Sequence, residues 1–354
     1  MARALLRTAL RRSLDQVKYV TPVEVSGADD AVARVYQQVE RDFGMLAPPV
    51  ALHSPAPGAL AACWMMLRES QMADGKVQRG VKEAVATAVS AGNSCPYCVM
   101  VHSATLQSLL GSAASTAVSA GRLDAIADPE VRAIAEWARR SASRQESQSQ
   151  DAPFAKEQTP EIAGVAVAFQ YLNRMVNIFL DGSPLPPTVP ALARGSVLRV
   201  LGWFTAASAR ATLQPGASLD LLPAAPLPPD LWWAAGHPEV AEAFARASAA
   251  IDAAGREHVP ASVQAAVRSR LADWDGRPLG PSRSWVEDEV LALPAGERAA
   301  GRLALLTALA SFQVDQQVID AFRREQAGDE ALIASTSWAS MAAARQVGSW
   351  LRIS

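Results

Sequence analysis

The sequence predicts an all-α protein, and two observations carry this prediction. The chain is rich in Ala, Leu, Arg and Glu, which are strong helix formers. Apolar residues recur three and four positions apart, for example at Val81, Val85, Ala88 and Val89, which is the spacing of one helix face. No stretch alternates β-branched and polar residues between turn signals, as a strand would. We therefore expect a fold built of helices alone.

Composition excludes several classes of protein. The chain has 354 residues, of which 50% are hydrophobic and 19% are charged, so it can bury a substantial core and whole-chain disorder is excluded. Its 33 basic and 35 acidic residues include no basic stripe, so we expect no nucleic-acid partner. Three cysteines are too few for a secreted scaffold stapled by disulfides.

We expect neither a membrane span nor a secretion signal. The longest apolar run, Ala59–Leu67, is far shorter than the roughly 18 residues that a membrane helix needs. Met1–Leu14 carries arginines at helical spacing but lacks a long apolar stretch followed by a small-residue cleavage site. It is typical of an amphipathic surface helix or a frayed tail, with a membrane-surface anchor as the alternative. The arginines are Arg3, Arg7, Arg11 and Arg12. We expect a cytoplasmic protein.

Two proline clusters divide the chain. Gly182–Pro190 and Gln214–Asp230 each contain several prolines, which lack an amide proton and clash with the preceding helical turn. The length allows two domains at about 150 residues each. We predict a first domain over residues 20–182, a proline-rich linker with one helix over 183–230, and a second domain over 231–354.

The two halves resemble each other, which predicts a tandem duplication and a two-lobed helical protein. Three matches occur in the same order: His53–Leu60 with His237–Phe244, Val81–Val85 with Val263–Val267, and Ile162–Leu180 with Ile333–Leu351. The last match aligns Arg174 with Arg345. Because His53, His237 and these two arginines occur in both copies, we expect them to serve the shared fold.

The segment Glu83–His102 contains the candidate catalytic residues. Gly92 and Asn93 are expected to end one helix, and Asn93 or Ser94 to cap the next one. Cys95 and Cys98 then lie in a first helical turn, where free amide protons and the helix dipole lower the pKa of a thiol. At about 100° per residue, both cysteines and His102 project from one face. Such a dithiol with a base one turn further on is suited to thiol–disulfide chemistry.

Two further predictions concern Glu83 and the second half of the chain. Glu83 lies on the preceding helix, and in a helical hairpin it would meet His102 and keep that imidazole oriented and basic. The candidate catalytic residues are therefore Glu83, Cys95, Cys98 and His102. The second half contains no cysteine, so we interpret it as a degenerate copy that supplies scaffold.

The spacing of Glu83, Cys95-x-x-Cys98 and His102 resembles the signature of the alkylhydroperoxidase AhpD-like proteins, which belong to the carboxymuconolactone decarboxylase family. The resemblance implies an AhpD-like redox domain over residues 20–182 within a homo-oligomer, commonly a trimer or hexamer. It implies that Cys98 attacks a hydroperoxide, that Cys95 resolves the sulfenic acid, and that Glu83 and His102 relay protons. The implied reductant is a lipoylated or thioredoxin-like dithiol protein. One departure is Tyr97, where the best-studied peroxidases of the family have a histidine; a phenol is a poor proton shuttle near neutral pH.

The leading hypothesis is a thiol-dependent peroxidase or disulfide oxidoreductase without a bound cofactor or metal. Three alternatives stay open. One is a decarboxylase-like lyase that uses Glu83 and His102. The second is a zinc-binding module formed by the dithiol and His102, with Cys63 or His53 as the fourth ligand. The third is a helical structural protein with an unused dithiol. We interpret Cys63 as a core thiol and Trp232-Trp233 as a possible oligomer contact.

Overall fold

The computed structural model describes residues 12–185 and 207–352, and this part of the chain contains helices and no strand. The prediction of an all-α fold is confirmed. Arg3, Arg7, Arg11 and the side chain of Arg12 lie outside the described residues, so the prediction for the N-terminal segment stays a prediction. The helix predicted within the linker also falls largely on residues 186–206, which are not described.

The described residues form nine α-helices in the first half of the chain and six in the second. Those of the first half are α1 (Asp30–Asp42), α2 (Pro48–Ala51), α3 (Pro57–Leu67), α4 (Arg79–Gly92), α5 (Pro96–Leu110), α6 (Ser112–Ser119), α7 (Pro129–Arg140), α8 (Arg144–Ser149) and α9 (Thr159–Phe179). Those of the second half are α10 (Pro238–His258), α11 (Ala261–Asp273), α12 (Ser284–Leu291), α13 (Arg298–Ala310), α14 (Gln316–Glu325) and α15 (Asp329–Ser349).

Proline and aspartate define where many of these helices begin. Proline occupies the first or second position of α3, α5, α7 and α10, where its missing amide proton costs nothing and its fixed φ suits a helix. The side chains of Asp29, Asp128 and Asp315 accept hydrogen bonds from the first-turn amides of α1, α7 and α14. Each such cap contributes about 1 kcal/mol.

Corresponding helices of the two halves pack against each other. The 21-residue helices α9 and α15 run along one another, α3 packs on α10, and one hydrophobic core extends through both halves. The alignment of Ile162–Leu180 with Ile333–Leu351 places α9 on α15 to within one residue, and the alignment at Val81 and Val263 places the start of α4 on that of α11. This arrangement supports the predicted duplication.

The two copies diverge after α4 and α11. Three residues connect α4 to α5, whereas ten connect α11 to α12. Gly92 is the last residue of α4, while Gly276 lies in the longer loop with a φ of +89° and with the carbonyl oxygen of Ala142 where a side chain would begin. The two glycines therefore have different roles. When the helix starts are aligned instead, Cys98 and His102 correspond to the buried Val286 and Val290.

The described end of the proline-rich segment is bound to the first half of the chain by hydrogen bonds. The buried carboxylate of Glu69 accepts hydrogen bonds from the backbone of Gly216 (2.7 Å) and from the hydroxyl of Ser218 (2.6 Å), and it is also paired with Arg68. This part of the segment is therefore anchored on the first half, and the domain bounds stay a prediction. Of the adjacent tryptophans, Trp233 is buried against Phe244 and Trp232 is 44% exposed.

One helical stretch, Lys156–Phe179, has the length and apolar character of a membrane span, but 94% of its apolar window is buried inside the protein. The central helix of a folded core passes the same test, so this stretch is weak evidence for a membrane span. It contains α9, which contacts α4, α10 and α15.

A buried ion pair fixes α9 against α4. Lys82 Nζ lies 2.7 Å from Glu161 Oε2, and both side chains are almost fully buried. Glu161 also accepts a hydrogen bond from the backbone N–H of Lys76 at 2.7 Å, and Lys82 donates to the carbonyl of Ala73 at 3.0 Å. Two buried charges are tolerated here because each one has both a counter-charge and further hydrogen bonds.

We expect Lys82→Met to lower the free energy of unfolding by about 3–5 kcal/mol, because it leaves the Glu161 carboxylate buried without its cation. The double variant Lys82→Met, Glu161→Gln should lose less, since no unpaired charge remains. Urea titration followed by circular dichroism measures both. A single variant that loses under about 1 kcal/mol, the range of an exposed ion pair, would contradict this role.

Candidate functional site

The turn between α4 and α5 places the two cysteines. Ser94 adopts a left-handed conformation with a φ of +51°. The N–H of Ser94 donates to the carbonyl of Ala91, and the N–H of Cys95 donates to that of Ser90, which is the Schellman pattern that closes a helix. Cys95 is therefore itself the N-cap of α5, and Pro96 is its first residue. The expectation that Asn93 or Ser94 caps α5 is wrong because Ser94 is used to end α4.

Both thiols of the motif are free and buried. Cys95 is 1% exposed and Cys98 is 2% exposed. Burial raises the pKa of the Cys98 thiol well above its ordinary value, and the adjacent Cys95 side chain raises it further. The expectation that the helix start lowers this pKa is therefore wrong for Cys98, because the loss of hydration outweighs the helix dipole. The φ and ψ of Cys95 (−105° and 84°) are not helical, so the two cysteines do not have the spacing of a regular helix, which is slightly too wide for a disulfide.

The hairpin brings Glu83 to His102, as the sequence predicts. His102 Nδ1 lies 2.7 Å from Glu83 Oε2, and Arg79 Nε lies 2.8 Å from Glu83 Oε1. Burial by itself raises the pKa of Glu83, but the charges of Arg79 and His102 overcome that effect and lower the pKa to about 2. Because the ionised carboxylate only accepts hydrogen bonds, His102 Nδ1 is the donor in either protonation state, and Nε2 is an acceptor whenever the ring has lost its second proton.

Cys98 and His102 line the same cavity. This cavity has a volume of about 90 Å³, which is room for a few groups of the size of water, each needing on the order of 10–15 Å³. Its walls are mostly apolar and come from α1, the α2–α3 region, α9 and the start of the proline-rich segment. They include Phe43, Trp64, Leu67, Leu172 and Pro184. The site is therefore the Cys98 thiol and the His102 imidazole facing a small apolar chamber, with the buried Cys95 outside its lining.

Tyr97 also lines the cavity and is 5% exposed. Burial raises the pKa of its phenol, and the two neighbouring thiols raise it further. The phenol stays protonated at neutral pH and cannot accept a proton from Cys98. It serves as part of the wall.

Sequence reasoning missed three residues of the site. Arg79 lies one turn before Glu83, a spacing at which opposite charges pair on a helix, so this contact was open to prediction. Phe169 and Asn173 come from α9, about 70 residues away in the chain. The ring of Phe169 meets His102 edge to face, with centroids 4.7 Å apart, and the buried amide of Asn173 hydrogen-bonds Ser90 and Asn93 beside the motif. No local pattern marks these two residues.

The structure does not assemble the proposed zinc site. Within residues 12–185 and 207–352, no group of three His, Cys, Asp or Glu side chains is placed to hold a metal ion. His53 is fully buried and stacked on Tyr171 with ring centroids 5.7 Å apart, and burial lowers its pKa to about 4. Cys63 is likewise a buried thiol whose pKa burial raises.

The residues that occur in both halves form hydrogen bonds, ring contacts and ion pairs within the fold. These contacts agree with the expectation that the residues serve the fold. Arg174 is buried, donates to the carbonyl of Ala308 at the end of α13 (2.9 Å), and lies over the ring of Trp274. Arg345 instead forms ion pairs with Asp230 and Asp252. His237 is the N-cap residue of α10 and lies 3.1 Å from Glu239.

The similarity of this chain to known proteins extends beyond the motif. No family model matches the sequence. A solved structure described as the alkylhydroperoxidase AhpD core of an uncharacterized peroxidase-related protein from Ralstonia eutropha is 24% identical, with a TM-score of 0.41, over 46% of this chain and 90% of its own. A curated protein named alkyl hydroperoxide reductase, from Mycobacterium tuberculosis, is 37% identical over 337 residues, which is 95% of each chain. Since this identity extends over nearly the whole length, the chain belongs to the AhpD-like alkyl hydroperoxide reductase family.

Proposed function

We propose that this protein reduces organic hydroperoxides with Cys98 as the attacking thiol and Cys95 as the resolving thiol. The observation that carries the proposal is the cavity in which Cys98 and His102 face the same apolar chamber. The name of the relative from Mycobacterium tuberculosis supports the same substrate class. Apolar walls favour an alkyl group over water, so an organic hydroperoxide fits the chamber better than hydrogen peroxide does.

In the first step, Nε2 of His102 accepts the proton of the Cys98 thiol. The thiolate attacks the terminal oxygen of the hydroperoxide, a sulfur–oxygen bond forms and the oxygen–oxygen bond breaks. Sulfur supplies two electrons and becomes a sulfenic acid. The departing alkoxide takes the proton back from His102 and leaves as an alcohol.

In the second step, the Cys95 thiol attacks the sulfur of the Cys98 sulfenic acid. A disulfide forms and the hydroxyl group leaves as water. An external dithiol restores the reduced pair by thiol–disulfide exchange. Because Cys98 is buried and lines the cavity, this reductant has to reach the Cys98 sulfur through the cavity. A dithiol on a slender arm, such as that of a lipoylated protein, fits this route better than the rigid surface of a thioredoxin-like protein.

Glu83 orients His102 in this scheme and does not itself carry the proton. A carboxylate whose pKa is about 2 stays ionised while His102 gains and loses its proton. It fixes the ring so that Nε2 faces the cavity, and it stabilises the imidazolium that forms in the first step. This assigns the proton relay to His102 alone. The protein's place in the cytoplasm and its assembly into oligomers stay predictions.

The Cys98→Ser variant tests the attacking thiol. We expect one equivalent of an organic hydroperoxide to remove two thiols from the reduced wild type and none from Cys98→Ser, as measured by thiol counting and intact mass. Cys95→Ser should instead hold a sulfenic acid that dimedone traps. The matched control is Cys63→Ala, which removes a buried thiol outside the site and should keep the two-thiol loss. A Cys98→Ser variant with the wild-type peroxidase rate would overturn the assignment.

The Glu83→Gln variant tests the orienting carboxylate. Because the pKa of Glu83 falls from 4.5 to about 2 on folding, the ionised group stabilises the fold above pH 4.5, and this stabilisation is lost as the pH falls towards 2. We expect the stability difference between wild type and Glu83→Gln to shrink by about 3 kcal/mol over that range.

The same variant should lower kcat/KM for the hydroperoxide on the order of 100-fold at neutral pH, because His102 loses its orientation. Urea titrations at several pH values and steady-state kinetics measure the two effects. A stability difference that does not change with pH would show that Glu83 is not held as an anion.

A further inference from the structure

A second cavity lies beside the turn between α4 and α5, where this turn meets the second half of the chain. Its volume is about 50 Å³, which is room for roughly three to five groups of the size of water, each needing on the order of 10–15 Å³. No described residue lines both this cavity and the chamber of Cys98 and His102, so the two are separate. Its walls include Asn93, Ser94, Trp274, Leu309, Ser311 and Phe312.

A buried cation also lines this cavity, which we call the Arg174 cavity. Arg174 of α9 is 7% exposed, and its guanidinium lies 5.8 Å from the centre of the Trp274 ring. Burial lowers the pKa of Arg174 to about 10, so the group is still charged at neutral pH. All aspartates and glutamates of the chain lie within the described residues, and none of them forms an ion pair with Arg174. The buried charge therefore has no counter-charge in the chain, which is an unfavourable arrangement.

Arg174 has donors left for a ligand. Its Nε donates to the carbonyl of Ala308 at 2.9 Å, and its Nη1 donates to the carbonyl and to Oε1 of Gln170 at 2.5 and 2.9 Å. A guanidinium has five N–H donors, and the two on Nη2 have no acceptor within the described part of the chain. Ser311 adds one more, because its hydroxyl accepts from Asn177 at 3.2 Å and keeps its own hydrogen for a further acceptor.

The corresponding arginine of the second half shows what such a position binds. Arg345, which aligns with Arg174, donates from Nε and Nη2 to the two oxygens of Asp230 at 2.6 and 2.7 Å. Its Nη1 lies 3.0 Å from Asp252. Arg345 is the less buried of the two arginines, yet it has two carboxylate partners. The Arg174 cavity thus has the cation of such a site without the carboxylate.

The size and the other walls of the cavity define the class of ligand. The rings of Trp274 and Phe312 and the side chain of Leu309 offer apolar surface, which favours a carbon chain over water. Phe312 is 50% exposed, so the cavity reaches the surface and a ligand can enter there. A carboxylate with one or two further carbon atoms matches the volume, whereas a larger acid does not.

We propose that the Arg174 cavity is a binding site for a small aliphatic carboxylate, whose oxygens accept hydrogen bonds from Arg174 and Ser311 and whose carbon chain contacts Trp274 and Phe312. Charge-assisted hydrogen bonds of this kind are roughly twice as strong as those between neutral groups. This site is independent of the proposed peroxidase function. Because its walls come from α9, from the α4–α5 turn and from the end of α13, a bound carboxylate stabilises the folded chain.

The test follows thermal unfolding of the full chain at rising concentrations of sodium propionate, with sodium chloride added to keep the ionic strength constant. Propionamide, which has the same shape and no charge, is the control ligand. Arg174→Gln removes the cation. Ser311→Asp places a carboxylate of the chain in the cavity, as Asp230 does for Arg345. The matched control is Arg277→Gln, which removes an exposed arginine that pairs with Asp275 beside the cavity and does not line it.

We expect about 50 mM propionate to raise the Tm of the wild type and of Arg277→Gln by about 2 °C, and propionamide to leave it unchanged. Arg174→Gln and Ser311→Asp should show no rise with propionate. The methyl signal of propionate should also show saturation transfer from the wild type and none from Ser311→Asp in an NMR difference experiment.

A wild type whose Tm does not respond to propionate, or responds equally to propionamide, would overturn the proposal. The same holds for a rise of wild-type size in either cavity variant. If Arg174→Gln does not fold, Ser311→Asp decides the question by itself, because it keeps Arg174 and its hydrogen bonds to the backbone.

Discussion

The structure of the site depends on one buried carboxylate. Glu83 has no contact with water of its own, yet it holds two partners, Arg79 on its own helix and His102 on the next one, at 2.8 and 2.7 Å. A charge in this position is tolerated only because both partners are in place. The pairing joins α4 to α5 and orients the imidazole, whose side chain lines the same cavity as Cys98. The position of the base beside Cys98 thus depends on where this carboxylate is neutralised.

Helix α9 contributes a side chain to the site that the hairpin of α4 and α5 does not provide. The hairpin provides the two sulfurs, the imidazole and the carboxylate, all within 20 residues of the chain. It provides no wall behind the imidazole. Phe169 supplies this wall from the opposite side, and the Lys82–Glu161 pair holds α9 and α4 together. A long buried helix is well suited to this task, because its interior hydrogen bonds fix the backbone and packing on several sides fixes each rotamer.

The second half of the chain contributes packing to the half that carries the cysteines. Its counterpart of the dithiol region carries Val286 and Val290 where the first half has Cys98 and His102, and both valines are buried. Replacing polar groups by apolar ones removes the need to hydrogen-bond them inside the protein, so this half is a better scaffold than a second active site. Helix α15 packs along α9, and Ser311 binds Asn177.

The amino-acid sequence by itself determined the helical class and predicted the repeat and the four residues of the motif, because all of these depend on spacing along the chain. It also implied the hairpin contact between Glu83 and His102, and the Arg79 contact was within its reach. Three things were decided by tertiary structure alone. The thiols lie inside the protein, which raises the pKa of Cys98 against the effect of the helix start. Ser94 takes the left-handed position that makes Cys95 the cap of α5. Asn173, Phe169 and the apolar walls arrive from distant segments. Each of these depends on how much water the packed helices exclude and on which side chains meet across them, and neither quantity is encoded in the spacing of residues along a single helix.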